Sequence, residues 1–132
     1  MGEAFSLEST YLALDGAGAA RLLPVGPDFW ERIEETAAAS GTLVMVGESV
    51  ADWSVWEMHP AGDEVLYLLS GAMEIEFDAQ SGGGVRTSLA PGEALLVPKG
   101  VWHTAHVARP SKLLSITYGA GTEHRPRGEH IL

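Results

Sequence analysis

The chain of 132 residues contains no cysteine, an absence that removes disulfide staples, thiolate metal ligands and cysteine nucleophiles together. Any transition metal would therefore have to be held by imidazole and carboxylate groups. Basic residues are scarce: eight lysines and arginines stand against eighteen aspartates and glutamates, for a formal charge of −10. That balance repels phosphate backbones, and with no basic cluster to offset it nucleic acid is not an expected partner. Long apolar runs are missing as well. No stretch approaches the roughly 20 residues that a membrane-crossing helix needs, and the opening MGEAFSLEST lacks the basic start and apolar run of a signal peptide. The expectation is a cytoplasmic protein with no membrane partner.

A chain of this length suits one domain, residues 1–132, able to bury a continuous core without staples. One segment reads as an α-helix, from Pro27 to about Ala39, with Phe29, Trp30, Ile33 and Ala37 on one face as a docking stripe. Pro27 suits a first helical position, Asp28 and Glu31 suit the positive end of the dipole, and Gly41 supplies a stop. Beyond Gly41 the pattern changes to short β-branched, aromatic and aliphatic runs: TLVMV, WSVWEMH, VLYLLS, AMEIEFD, VRTSL, EALLVP, HTAHV and KLLSITY. Turn chemistry separates them at PAGD, SG, QSGGG, APG, PKG and ARPS, a spacing typical of all-β sandwiches and barrels. Alternation is cleanest where Met73, Ile75 and Phe77 oppose Glu74, Glu76 and Asp78, as in a strand with one buried and one wet face.

Two stretches place ligand-type side chains inside apolar strands, WEMHPAGDEVLYLLSG and PGEALLVPKGVWHTAHV. Strand alternation points Glu57 and His59 the same way, so both can reach one centre. Pro60-Ala61-Gly62 lets the chain reverse and return Glu64 on a neighbouring strand. His103 opens a further strand just after the turn Pro98-Lys99-Gly100. His106 has the opposite strand parity and is expected to face outward, while His124 and His130, with Arg125 and Arg127, read as a polar tail without ligand roles. Trp53, Trp56 and Trp102 read as packing residues of a core or subunit interface rather than as a ligand cage.

These stretches resemble the two motifs of the cupin family. In the first, His59 stands as the second histidine, four residues lead to Glu64 and six more to Gly71; in the second, Gly92, Pro98, Gly100 and His103 keep the family spacing. Ala51 replaces the leading glycine, Glu57 takes the first histidine slot and Val107 replaces the final asparagine. The resemblance implies an all-β, antiparallel jelly-roll barrel, with the expected N-terminal-half α-helix packed outside it. It also implies a homodimer, to which the strands carrying Trp53 and Trp56 could contribute an apolar surface. His59, Glu64 and His103 carry over as metal ligands; Glu57 joins them by side-chain parity and because carboxylates also coordinate.

Two imidazoles and two carboxylates suit a divalent ion, with iron, manganese, zinc and nickel all open. The expected partner is a small, oxygen-bearing organic molecule bound beside that ion. Two functions remain open on the sequence. One is a metal-dependent dioxygenase or isomerase in which Glu57, if displaced from the metal, is the catalytic base; the other is a binding or sensing module that uses the pocket without chemistry, with or without a metal.

Overall fold

The computed structural model describes residues 2–128, and among them nine strands form one antiparallel sheet. They are β1 (Thr10–Leu14), β2 (Ala20–Pro24), β3 (Thr42–Ser49), β4 (Val55–Met58), β5 (Glu64–Phe77), β6 (Arg86–Leu89), β7 (Ala94–Val97), β8 (His103–Tyr118) and β9 (Glu123–Pro126). The long strands β5 and β8 pair along most of their length and form the spine. Strand β3 joins one end of β8 and β4 the other, while β6 and β7 line up along β5. The sheet curls into a barrel-like jelly roll whose hydrogen bonding does not close into a ring. Among the described residues no helix is long and apolar enough to cross a membrane.

Segments that look separate in the sequence run together here. VLYLLS and AMEIEFD are one strand, β5, and HTAHV and KLLSITY are one strand, β8, because Ser70-Gly71 and the Ala108–Ser111 stretch are absorbed as irregularities rather than turns. Gly71 makes that possible: its φ is +96°, and a Cβ there would lie 2.5 Å from the Pro110 carbonyl oxygen. The Ser111 hydroxyl accepts a hydrogen bond from the Ala72 amide at 3.0 Å and donates to the Arg109 carbonyl at 2.8 Å, which satisfies backbone groups that the bulge leaves unpaired.

The expected α-helix over Pro27–Ala39 is instead two short 3-10 segments, Trp30–Glu35 and Ala37–Ala39. Thr36 breaks it. Its backbone is extended, and its hydroxyl donates to the Ile33 carbonyl at 2.7 Å and accepts from the Ala38 amide at 3.2 Å, so local side-chain bonds replace the helical ladder. The segment packs through Phe29 and Ala38 onto Tyr11, Ala13 and Leu43, a small core beside the open end of the sheet. Strands β1 and β2, not marked in the sequence reading, form a hairpin that pairs with β3. At its turn the Asp15 carboxylate accepts from the Ala17 and Ala19 amides at 2.7 and 3.0 Å.

The main core lies between the sheet layers and contains Leu66, Leu68, Met73, Ile75, Leu89, Val97, Ala105 and Leu113. Leu68 and Ile75 are wholly buried, and each such side chain contributes about 2 kcal/mol by leaving water. The alternation at Met73 and Ile75 holds as expected, since both are inside. Within the QSGGG turn region, Ala79–Gly82 forms one helical turn capped by the Asp78 carboxylate.

Candidate metal centre

Strand β4 ends one residue short of His59, and its alternation sends Glu57 and His59 to the same inner face. The reversal through Pro60–Asp63 is fixed at both ends. The Gly100 amide donates to the His59 carbonyl at 3.0 Å, and the Lys99 amide donates to the Asp63 carboxylate at 2.8 Å, which ties the two ligand-bearing stretches together. Gly62 lies against Tyr118, where a Cβ would sit 2.8 Å from the ring. Glu64 begins β5 between Val97 of β7 and Thr117 of β8. His103 begins β8, opposite Glu57 of β4 and Phe77 of β5.

One ligand-type atom from each of Glu57, His59, Glu64 and His103 lies within 4.8 Å of the other three. His59 Nε2 is 3.1 Å from both Glu57 Oε1 and Glu64 Oε2, and His103 Nε2 is 3.1 Å from Glu64 Oε1 and 3.7 Å from Glu57 Oε1. His103, Glu64 and His59 are buried, and Glu57 is partly so. Among the described residues, His59 Nε2, His103 Nε2 and Glu64 Oε1 nonetheless lack a hydrogen bond of acceptable geometry. Three buried polar atoms aimed at one point without partners are costly unless a cation sits among them.

The far sides of the rings decide which nitrogen is free. Thr122 Oγ1 donates its one proton to the Gly119 carbonyl at 2.8 Å, so at 2.8 Å from His59 Nδ1 it acts as the acceptor. The Val101 carbonyl, which can only accept, lies 3.3 Å from His103 Nδ1. Both rings thereby keep a proton on Nδ1 and turn Nε2 toward the cluster, where a cation can take the place of a proton. The carboxylates are held too: Thr117 donates to Glu64 Oε2 at 2.5 Å, and His124 Nε2 lies 2.7 Å from Glu57 Oε2.

Electrostatics agree with that geometry. Burial would raise the pKa of Glu57, but His124 at 2.7 Å, His59 at 3.1 Å and the nearby imidazole charges outweigh it and hold the carboxyl well below its usual range. Glu64 is lowered in the same way, with burial opposed by His103 and His59. Burial disfavours the charged form of His59, yet Glu57 and Glu64 together push its pKa up to about 9. The cluster thus attracts positive charge, a proton at His59 when nothing else is bound and a dication in competition with it.

The cluster opens onto a cavity of about 850 Å³. Its walls mix apolar residues, among them Ile33, Met45, Trp53 and Leu113, with Ser115 and Thr117, and include no lysine or arginine. The 3-10 segments contribute Trp30, Ile33 and Ala38, so they border the cavity instead of merely backing the sheet.

Several residues sit differently from the sequence reading. His124 is not in a loose polar tail: it lies on β9, pairs opposite Glu57 and touches its carboxylate. The sequence Glu-His-Arg-Pro carries no apolar alternation, so only its pairing with β4 makes it a strand. His106 faces away from the cluster as expected, with Nε2 2.8 Å from Glu76. His130 lies outside the described residues. Trp53 packs against the main core and borders the cavity, whereas Trp56 and Trp102 stack on Arg125 at 5.7 and 4.5 Å from the ring centroids.

Comparison with known families decides the affiliation, because a profile described as the cupin domain matches residues 42–117. The chain belongs to the cupin family. The match covers β3 to β8 and contains the whole four-residue cluster. Among solved structures, a cupin superfamily protein of Desulfitobacterium hafniense superposes with a TM-score of 0.51 at 22% identity, over 87% of this chain and 81% of that one. A Neisseria meningitidis protein gives a TM-score of 0.50 at 26% identity, over 58% and 74%. An oxalate decarboxylase gives 0.52 at 19% identity, over 66% of this cupin and 23% of that chain, which speaks for the fold alone. No curated protein matches significantly.

Proposed function

We propose that this cupin, acting as one domain, binds a divalent metal through His59, Glu64, His103 and Glu57 and takes a small oxygen-bearing organic molecule into the cavity beside it. The observation that carries this reading is the set of buried, unpartnered Nε2 and Oε1 atoms converging from β4, β5 and β8. Two carboxylates neutralise a dication, and two imidazoles with fixed tautomers supply nitrogen donors suited to iron, manganese, zinc or nickel. When bound, the ion would supply Lewis acidity toward an oxygen of the ligand.

The chain's own residues do the rest. Trp53, Met45, Ile33 and Leu113 give the cavity apolar walls that limit water and strengthen the polar interactions inside. Ser115 and Thr117 offer hydroxyls that can orient a ligand. Glu57 is the most exposed of the four, and His124 holds its second oxygen, so it is the carboxylate able to take a proton from a bound ligand. On this reading Glu57, when displaced from the metal, is the catalytic base of a dioxygenase or isomerase.

Manganese- or iron-loaded protein mixed with a panel of catechols, enediols, diketones and sugars tests this. Metal-dependent binding with oxygen consumption or product formation is the expected result. Metal-dependent binding without turnover would make the protein a binding or sensing module. Equal affinity with and without metal would overturn the reading.

A further inference from the structure

We propose that the C-terminal segment Gly119–Arg127, which follows the cupin match at 42–117, is a latch that completes the metal centre, with Thr122 and His124 as positioning residues and Arg125 as its anchor. This rests on the metal reading above. The inner face of the segment carries the two contacts that orient ligands. Thr122 accepts from His59 Nδ1 at 2.8 Å and so keeps Nε2 turned inward. His124 lies 2.7 Å from Glu57 Oε2 and holds that carboxylate with Oε1 toward His59 and His103. Neither residue need touch the ion to matter, because partners of ligands set their tautomer and direction.

The outer face carries the anchor. Along β9 alternate side chains face opposite ways, so the residue after His124 points out. Arg125 places its guanidinium 4.5 Å from the Trp102 ring centroid and 5.7 Å from that of Trp56, and donates to the Asp78 carboxylate at 2.7 Å. A planar guanidinium between aromatic faces and a carboxylate is a specific fit. Arg127 adds a bond to the Trp53 carbonyl at 2.9 Å. Gly121, at φ +73°, lets the chain pass close to Pro60, whose Cγ a Cβ there would approach to 3.3 Å. One strand thus joins an external clamp to two internal ligand supports. Coupling is reciprocal: if docking of the segment raises metal affinity, bound metal must tighten the segment.

The test uses the full-length protein without an affinity tag, reading manganese affinity by competition with a chelating dye and amide exchange over residues 120–126 with and without manganese. Thr122→Val and His124→Ala are each expected to weaken manganese binding about 10–100-fold, while Thr122→Ser and His124→Gln, which keep an acceptor and a donor, restore most of it. Arg125→Ala, which touches no ligand, is expected to weaken binding and speed exchange in 120–126. Arg86→Ala on the distant β5–β6 pair serves as the control and changes neither. Manganese is expected to slow exchange in 120–126 of the unsubstituted protein. Should Arg125→Ala fail to fold, that exchange measurement alone decides. Unaltered affinity in Thr122→Val and His124→Ala, or exchange in 120–126 indifferent to manganese, would overturn the latch while leaving the metal reading intact. An unsubstituted protein that binds no metal would end both.

Discussion

His59 is pulled in two directions, since burial disfavours its charge while Glu57 and Glu64 favour it, and the carboxylates win, with a pKa of about 9 against the ordinary 6.5. A folded-state value raised above the unfolded one stabilises fully below pH 6.5 and is lost as pH rises toward 9. Glu57 and Glu64 are depressed, so their contribution is present above the ordinary value of 4.5 and is lost on acidification. Metal-stripped protein is therefore expected to be most stable near pH 5–6 and to lose several degrees of melting temperature by about pH 8.5. Metal reverses the trend, because ligand protonation competes with it. Calorimetry with chelator and with manganese at both pH values checks this: a falling stability in chelator and a metal-dependent gain that grows with pH. His103→Ala is expected to abolish stoichiometric metal while leaving the β spectrum in place, read by elemental analysis and circular dichroism. At this scale the sequence carried most of the cluster, because strand parity and motif spacing are local properties of residues 57–64 and 98–103. His124 was not legible there. It meets Glu57 only through pairing between strands some 67 positions apart, and no pattern in its own neighbourhood marks it.

Elements show where local signals and tertiary context part company. Gly71 looks like a turn between two strands, yet β5 runs straight through it, and the reason lies 39 positions away at Pro110 and Ser111. Gly71→Ala is expected to cost roughly 2–4 kcal/mol, from the positive φ and the clash with the opposing backbone. Urea denaturation would measure it, and a loss under about 0.5 kcal/mol would mean that the crossing is looser than described. The eight strand segments from β3 to β8 were readable from β-branched runs and glycine-proline punctuation; where they joined was not, because bulges and turns use the same residues. The Pro27–Ala39 stretch had helical spacing, but the Thr36 hydroxyl diverts it into 3-10 turns. Strands β1 and β2 are five residues each and gain their place from pairing with each other and, through β1, with β3.

For the molecule as a whole, the outer face of β3, β8, β5 and β7 carries Val44, Ile116, Leu114, Val65, Tyr67, Leu69 and Leu96, all partly or fully exposed. The homodimer that the family resemblance implies is proposed to bury a second copy of the chain against this face, beside the surface of the Trp53 and Trp56 strands. Light scattering is expected to give about twice the 14.0 kDa of one chain, with Leu96→Glu shifting it to a single protomer; a monomer throughout would refute the dimer. The all-β class followed from strand spacing and the jelly-roll barrel from the family resemblance, whereas the cavity and its C-terminal wall depend on contacts between distant strands. Everything functional depends on the four converging side chains being a metal centre. Elemental analysis of tag-free protein after stripping and reloading tests that most directly. About one divalent ion per chain, lost in His103→Ala, is the expected result; a centre that binds none of iron, manganese, zinc or nickel when each is supplied would contradict it.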